Sequence, residues 1–182
     1  VFGVAKTSGA SSSDFSRRIN SFLAQRKNVR YLRHAAAEYR GLRLFGSPMT
    51  VSRLESEGKR FYSRAFERPT ELRKRFWADL PQELDVLMTH CPPQGQLCGA
   101  VGDPLLAARL REMSRPPRFH VFGHDHDFPG AASDGRTTFL NVAQEELLRA
   151  DPRGGGCALT FDVEARDLPI DSDDEEVAPG HR

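Results

Sequence analysis

The stretch Arg118-Phe119-His120-Val121-Phe122-Gly123-His124-Asp125-His126-Asp127 constrains this chain more than any other. Phe119 and Val121 alternate with His120 and Phe122, the period of an extended strand. Gly123 lets the backbone bend where the strand stops. His124 and His126 follow, with Asp125 between them and Asp127 behind. Groups that bind protons or metals leave one strand end together, where ligand sites of open α/β sheets gather. The pattern predicts half of a metal site, on a strand that other elements must hold in place.

A chain of 182 residues, 38% hydrophobic and 28% charged, suits one domain with a real core and a tail. The net charge of +1 by itself predicts no partner. Basic residues crowd the first half, among them Arg17, Arg18, Arg26, Lys27, Lys59 and Arg60. They read as a solvated surface, not as a nucleic-acid interface. No apolar run is long enough to span a membrane, so no membrane partner is expected. Val1 to Ser13 lacks the basic-then-apolar order of a secretory signal. A start at Val1 instead of Met is the expectation for a fragment or a processed product. Three cysteines, few and odd in number, point to a reducing compartment and hence to the cytoplasm.

In chain order, residues 1–13 read as a flexible Gly/Ser/Ala-rich leader. Asp14 caps a helix with Phe15, Ile19, Phe22 and Leu23 on one face. Val29 to Leu32 reads as a short strand, and Ala36–Tyr39 with Leu42–Phe45 as a hairpin turning at Arg40-Gly41. Met49 to Thr70 reads as a loop with a helical piece. A helix follows from Pro69 or Thr70 to Leu80, with Leu72, Phe76 and Leu80 on one face and Trp77 in the core or at its rim. Leu84–Met88 is a buried strand ending at Thr89-His90-Cys91-Pro92-Pro93. Pro104 opens a helix whose apolar side is Leu105, Leu106, Ala108, Leu110 and Met113. Beyond His126 come a loop, a strand at Thr137–Val142, a short helix at Glu145–Arg149 and a last strand at Cys157–Val163. Helices between strands make this an α/β fold over residues 14–163. Residues 164–182 form an acidic disordered tail, in which Ser172 precedes a run of acids as a kinase site would.

His90 leaves one strand end, and His124 and His126 leave another. Imidazole is the commonest metal-binding side chain, and rigid strands hold it with little freedom. His34, His120 and His181 lack this context; His120 packs or hydrogen-bonds within its strand. Six residues separate Cys91 from Cys98, too many for the usual close zinc pair.

At this point the residues resemble a known family. Thr89-His90-Cys91-Pro92-Pro93 followed by Val121-Phe122-Gly123-His124-Asp125-His126 is similar to the last two motifs of the calcineurin-like metallophosphoesterases. The small metallophosphoesterase-domain-containing branch resembles it further, in Gly41–Pro48 and in Asp134–Asn141. The resemblance covers the C-terminal portion of the domain, from about Asn28 to Val163. It implies a four-layer sandwich, here lacking its N-terminal strands, with two divalent metals (Mn, Fe, Zn or Mg) between its sheets. By position, His90 and His124 hold one metal and His126 the other. The implied activity is hydrolysis of a phosphate ester. The family's D-x-H, G-D and G-N-H motifs have no counterpart in order: no Asp-x-His occurs, no Asn precedes a His, and Gly102-Asp103 follows His90. The bridging aspartate, the asparagine ligand and the histidine that assists the leaving group are therefore missing. A catalytically inactive binding module is the alternative, and an RNA-binding module using the basic first half is a third.

Overall fold

The computed structural model describes residues 12–26, 29–52, 58, 66–144 and 160–164. Two compact units divide the chain after Leu32. The first carries helix α1, Ser12–Ala24, which starts two residues ahead of Asp14. Arg17, Arg18 and Arg26 face solvent as expected. The apolar face is narrower than its spacing predicts, because Phe22 is 55% exposed. The Arg26 guanidinium covers that ring at 4.3 Å, a cation–π contact. Val29 to Leu32 is not a strand.

The second unit is a six-stranded mixed sheet with helices packed on it. Its strands are β1 (Ala35–Tyr39), β2 (Leu42–Ser47), β3 (Val86–Thr89), β4 (Phe119–Phe122), β5 (Gly130–Ser133) and β6 (Thr138–Asn141), in the order β1-β2-β3-β4-β6-β5. The two edge pairs are antiparallel, and β2, β3, β4 and β6 run parallel. Arg40 (φ 47°) and Gly41 (φ 72°) make the two-residue hairpin turn, whose positive φ at both positions matches the twist of the strands. β5 lies where a loop is expected: Gly130–Ser133 is short and small-sided, and only pairing with β6 makes it a strand.

Helix α2 (Thr70–Ala78) and helix α3 (Pro104–Glu112) pack on one face of the sheet. Register puts Phe45, Leu87, His120 and Phe139 in one row across that face. Trp77, Leu80, Leu106, Leu110 and Met113 close the core over it. The buried face of α2 is the expected one in part, with Trp77 in the core and Phe76 packed against it, but Leu72 and Arg73 depart from it. Arg73 and Trp77 point inward, and Leu72 is 40% exposed. Arg73 can go inside because the Asp103 carboxylate lies 3.1 Å from its Nε, a partner thirty positions along the chain that helical spacing cannot reveal. The same carboxylate accepts from the Trp77 indole at 2.8 Å and caps α3 through the Leu105 N–H at 2.9 Å. Gly102-Asp103 is thus a structural pivot. Gly102 sits where a Cβ would meet the Gln94 Cα at 2.6 Å, so no larger residue fits.

Residues 160–163 run without regular structure, against the strand expected there. The leader through residue 11, most of the Met49–Thr70 loop with its helical piece, the Glu145–Arg149 helix and the acidic tail beyond residue 164 with Ser172 lie outside the described residues. Among the described residues, no helix is long and apolar enough to cross a membrane.

Candidate metal centre

β3 and β4 are parallel neighbours, so the residues that follow them emerge side by side at the same end of the sheet. His90 follows β3, and both its backbone groups are tied. Its N–H donates to the Ser47 carbonyl at 3.2 Å, and its own carbonyl accepts from Gly123 N–H at 3.1 Å. The second bond clamps the β3 turn to the residue before His124. His90 Nε2 and His124 Nδ1 then stand 3.0 Å apart, with ring centroids at 4.7 Å. Two nitrogens this close either share a hydrogen or face a common electrophile.

His124 occupies the left-handed region at φ 71°. The Asp125 N–H donates to the Gly123 carbonyl at 2.9 Å, closing a three-residue turn with His124 at its centre. A non-glycine residue held at positive φ costs about 1–3 kcal/mol, and such strain gathers at functional sites. Asp125 supplies the restraint. Its carboxylate accepts from Gly99 N–H at 2.8 Å and from Asp127 N–H at 3.2 Å, and the residue is buried. Asn141, at the end of β6, donates its amide to the Asp125, Phe128 and Leu97 carbonyls at 2.8, 2.9 and 3.2 Å. The loop that carries His124 and His126 is thereby pinned from beneath. Asn141 and Asp125 are the residues that sequence reasoning missed in this role. Both sat inside motif segments, yet what they hold is visible only once β6 lies beside β4.

Electrostatics favour neutral imidazoles. Burial lowers the pKa of His90, and the positive forms of His124 and His126 lower it further. Burial also lowers that of His124; His126 adds to this, and Asp125 and Glu67 oppose it. Neutral imidazole is the form that binds metal. His126 is therefore within electrostatic reach of both rings. Glu67, brought alongside by its bridge to Thr50, is a carboxylate near His124 that no motif predicted. Cys91 is a buried thiol whose pKa burial pushes up to about 12, and its Sγ faces the Met49 carbonyl at 3.6 Å.

The donor set fits a metal only in part. Two imidazole nitrogens converge, but the Asp125 carboxylate is committed to backbone amides. Among the described residues, no group of three or more His, Cys, Asp or Glu side chains is arranged to hold a metal ion.

No protein-family model matches the chain. It is 37% identical over 120 residues to UPF0046 protein K07C11.7 of Caenorhabditis elegans, covering 64% of this chain and 38% of that protein. It is 33% identical over 126 residues to Metallophosphoesterase domain-containing protein 1 of Homo sapiens, covering 64% of this chain and 35% of that protein. It is 32% identical over 137 residues to UPF0046 protein C25E10.12 of Caenorhabditis elegans, covering 69% and 44%. The chain thus spans between about a third and under half of the length of these relatives. One solved structure superposes with a TM-score of 0.54 at 20% identity, over 75% of this chain and 55% of that one, a likeness of fold.

Proposed function

The chain is similar over 64% of its length to Metallophosphoesterase domain-containing protein 1, and on that premise we propose that it carries part of the metal centre of a phosphoric-ester hydrolase. The observation that supports this most is the approach of His90 Nε2 to His124 Nδ1 at 3.0 Å, from turns at the ends of adjacent parallel strands. In this reading His90 and His124 hold one divalent metal and His126 a second, between the layers of a four-layer sandwich. Paired metals in such a site clamp phosphate oxygens and lower the pKa of a bridging water. What this chain's own residues do is hold two neutral nitrogens at a fixed separation and keep Asp125 turned away to brace the loop. Hydrolysis needs carboxylate ligands that the His90/His124 pair does not bring with it. The phosphodiester or phosphomonoester specificity belongs to the whole protein of this branch.

A second reading is favoured by the commitment of Asp125 to the Gly99 and Asp127 amides. With that carboxylate occupied, the chain is a non-catalytic module that binds a metal or a phosphate group without turning it over. The two readings separate on hydrolysis of bis-p-nitrophenyl phosphate by the 182-residue chain with Mn²⁺. Slow turnover that His124→Ala abolishes supports the hydrolase. No turnover, combined with thermal stabilisation by Mn²⁺, supports the module. Turnover that survives His124→Ala removes the proposed centre from the chemistry altogether.

A further inference from the structure

His120 is a histidine that the proposed centre does not use. It is completely buried on β4, its ring edge-on to Phe122 at 5.0 Å and to Phe139 at 6.0 Å. Burying an imidazole among aromatic rings is costly unless a hydrogen bond offsets it. That bond joins Nε2 to Thr89 Oγ1 at 2.8 Å. The Thr89 hydroxyl has a single hydrogen, and it is directed at the Cys91 carbonyl at 2.7 Å. With that hydrogen engaged, His120 Nε2 must carry its proton and donate to Oγ1. Nδ1 is then the bare nitrogen, and it has no hydrogen-bond partner among the described residues. A phenylalanine in this place would orphan no nitrogen, so what the histidine adds is a donor.

The relay from His120 Nε2–H through Thr89 Oγ1–H to the Cys91 carbonyl straddles one residue, His90. It fixes the backbone on both sides of that side chain. His120 is also four positions before His124, on the strand that leads into its turn, and it is paired with Leu87 of β3. Both members of the imidazole pair are thereby referenced to β4. We infer that His120 and Thr89 are positioning residues for His90, holding its turn so that Nε2 meets His124. This inference rests on the reading of His90 and His124 as ligands of one metal.

The test uses four variants of the full chain. Thr89→Val and His120→Phe remove the hydroxyl and the donor at near-constant volume. Thr89→Ser and His120→Gln restore a hydroxyl and an amide N–H. Far-UV circular dichroism checks folding, and Thr89→Ala replaces Thr89→Val if the latter does not fold. Calorimetric titration with Mn²⁺ is expected to show affinity about 10–100-fold weaker in the Val and Phe variants, and within about threefold of wild type in the Ser and Gln variants, the loss usual for a partner that orients a ligand. Histidine-ring ¹⁵N NMR of the metal-free protein is expected to show one sharp pair of His90 signals, from Nδ1 and Nε2, in wild type and in Thr89→Ser, and a broadened pair or a second pair in Thr89→Val. Wild-type affinity in Thr89→Val and His120→Phe overturns the inference, as does failure of Thr89→Ser to rescue. If wild type binds no Mn²⁺, the ligand reading fails, and the NMR alone decides positioning: an unchanged pair of His90 signals in Thr89→Val overturns it.

Discussion

Single side chains set this site, and their costs are measurable. His124 is held at φ 71°, where glycine rests without penalty and other residues do not. His124→Gly and His124→Ala both delete the imidazole, but only the first relieves the backbone. The glycine variant is expected to be more stable than the alanine variant by about 1 kcal/mol in urea unfolding. Equal stability would mean the turn is unstrained. Asn141→Ala strips the donor from beneath the loop and leaves the buried Asp125 carbonyl and the part-buried Phe128 carbonyl without it. Its expected cost is about 1–3 kcal/mol by the same measurement. His120 brings a pH dependence. Burial lowers its pKa from 6.5 to about 3, so the folded state refuses a proton that the unfolded state accepts. Stability is therefore full above the unfolded value and falls as pH drops from about 6.5 toward about 3, by about 1.4 kcal/mol per unit where that group alone is linked. His34, His90 and His124, also lowered, act in the same direction. Urea midpoints compared at about pH 7 and about pH 5 are expected to drop steeply in wild type and less steeply in His120→Phe. The neighbourhood of His90 and His124 was legible because both stand just past strand ends. The partners of His120 and Asn141 were not, since each lies on a strand that becomes a neighbour only after the sheet forms.

At the scale of elements, the loop between β3 and α3 is the most tightly specified. Asp103 caps α3, accepts from the Trp77 indole and pairs with the buried Arg73. Its backbone N–H also donates to the Pro92 carbonyl at 2.9 Å, two residues beyond His90. Asp103→Ala leaves the Arg73 charge uncompensated in the core, and a loss of about 3–5 kcal/mol is expected in denaturant unfolding. Asp103→Asn keeps one acceptor oxygen, for the indole or for the cap but not for both, and is expected to lose less. Both variants remove the charge, so equal losses would mean that the hydrogen bonds accepted by Asp103 contribute nothing beyond the ion pair. The strands β2, β3, β4 and β6 and helices α2 and α3 were readable from apolar runs, from Pro104 and from the Arg40-Gly41 turn. β5 was not, because Gly130–Ser133 has neither branched nor aromatic residues and depends on β6 for its hydrogen bonds. The inward face of α2 was misjudged in part for a related reason: a 3.6-residue period sees Leu72 and Phe76 but cannot foresee that a distant carboxylate draws Arg73 inside.

For the whole molecule, the sheet has a second face. Register turns Leu44, Met88, Phe119 and Val121 away from α2 and α3, and Phe161 stacks on Phe119 from that side at 4.8 Å. A largely parallel sheet with apolar residues on both faces is built to be covered on both, which is how the proposed four-layer arrangement would complete it. The proposed metal centre rests on two converging nitrogens, His90 Nε2 and His124 Nδ1 at 3.0 Å. The most direct test is the zinc K-edge X-ray absorption spectrum of the chain loaded with one equivalent of Zn²⁺. Imidazole scattering from two histidines at about 2.0–2.1 Å is expected, reduced by half in His90→Ala and in His124→Ala. A spectrum without imidazole scattering, or one unchanged by either substitution, contradicts the assignment of His90 and His124 to one metal.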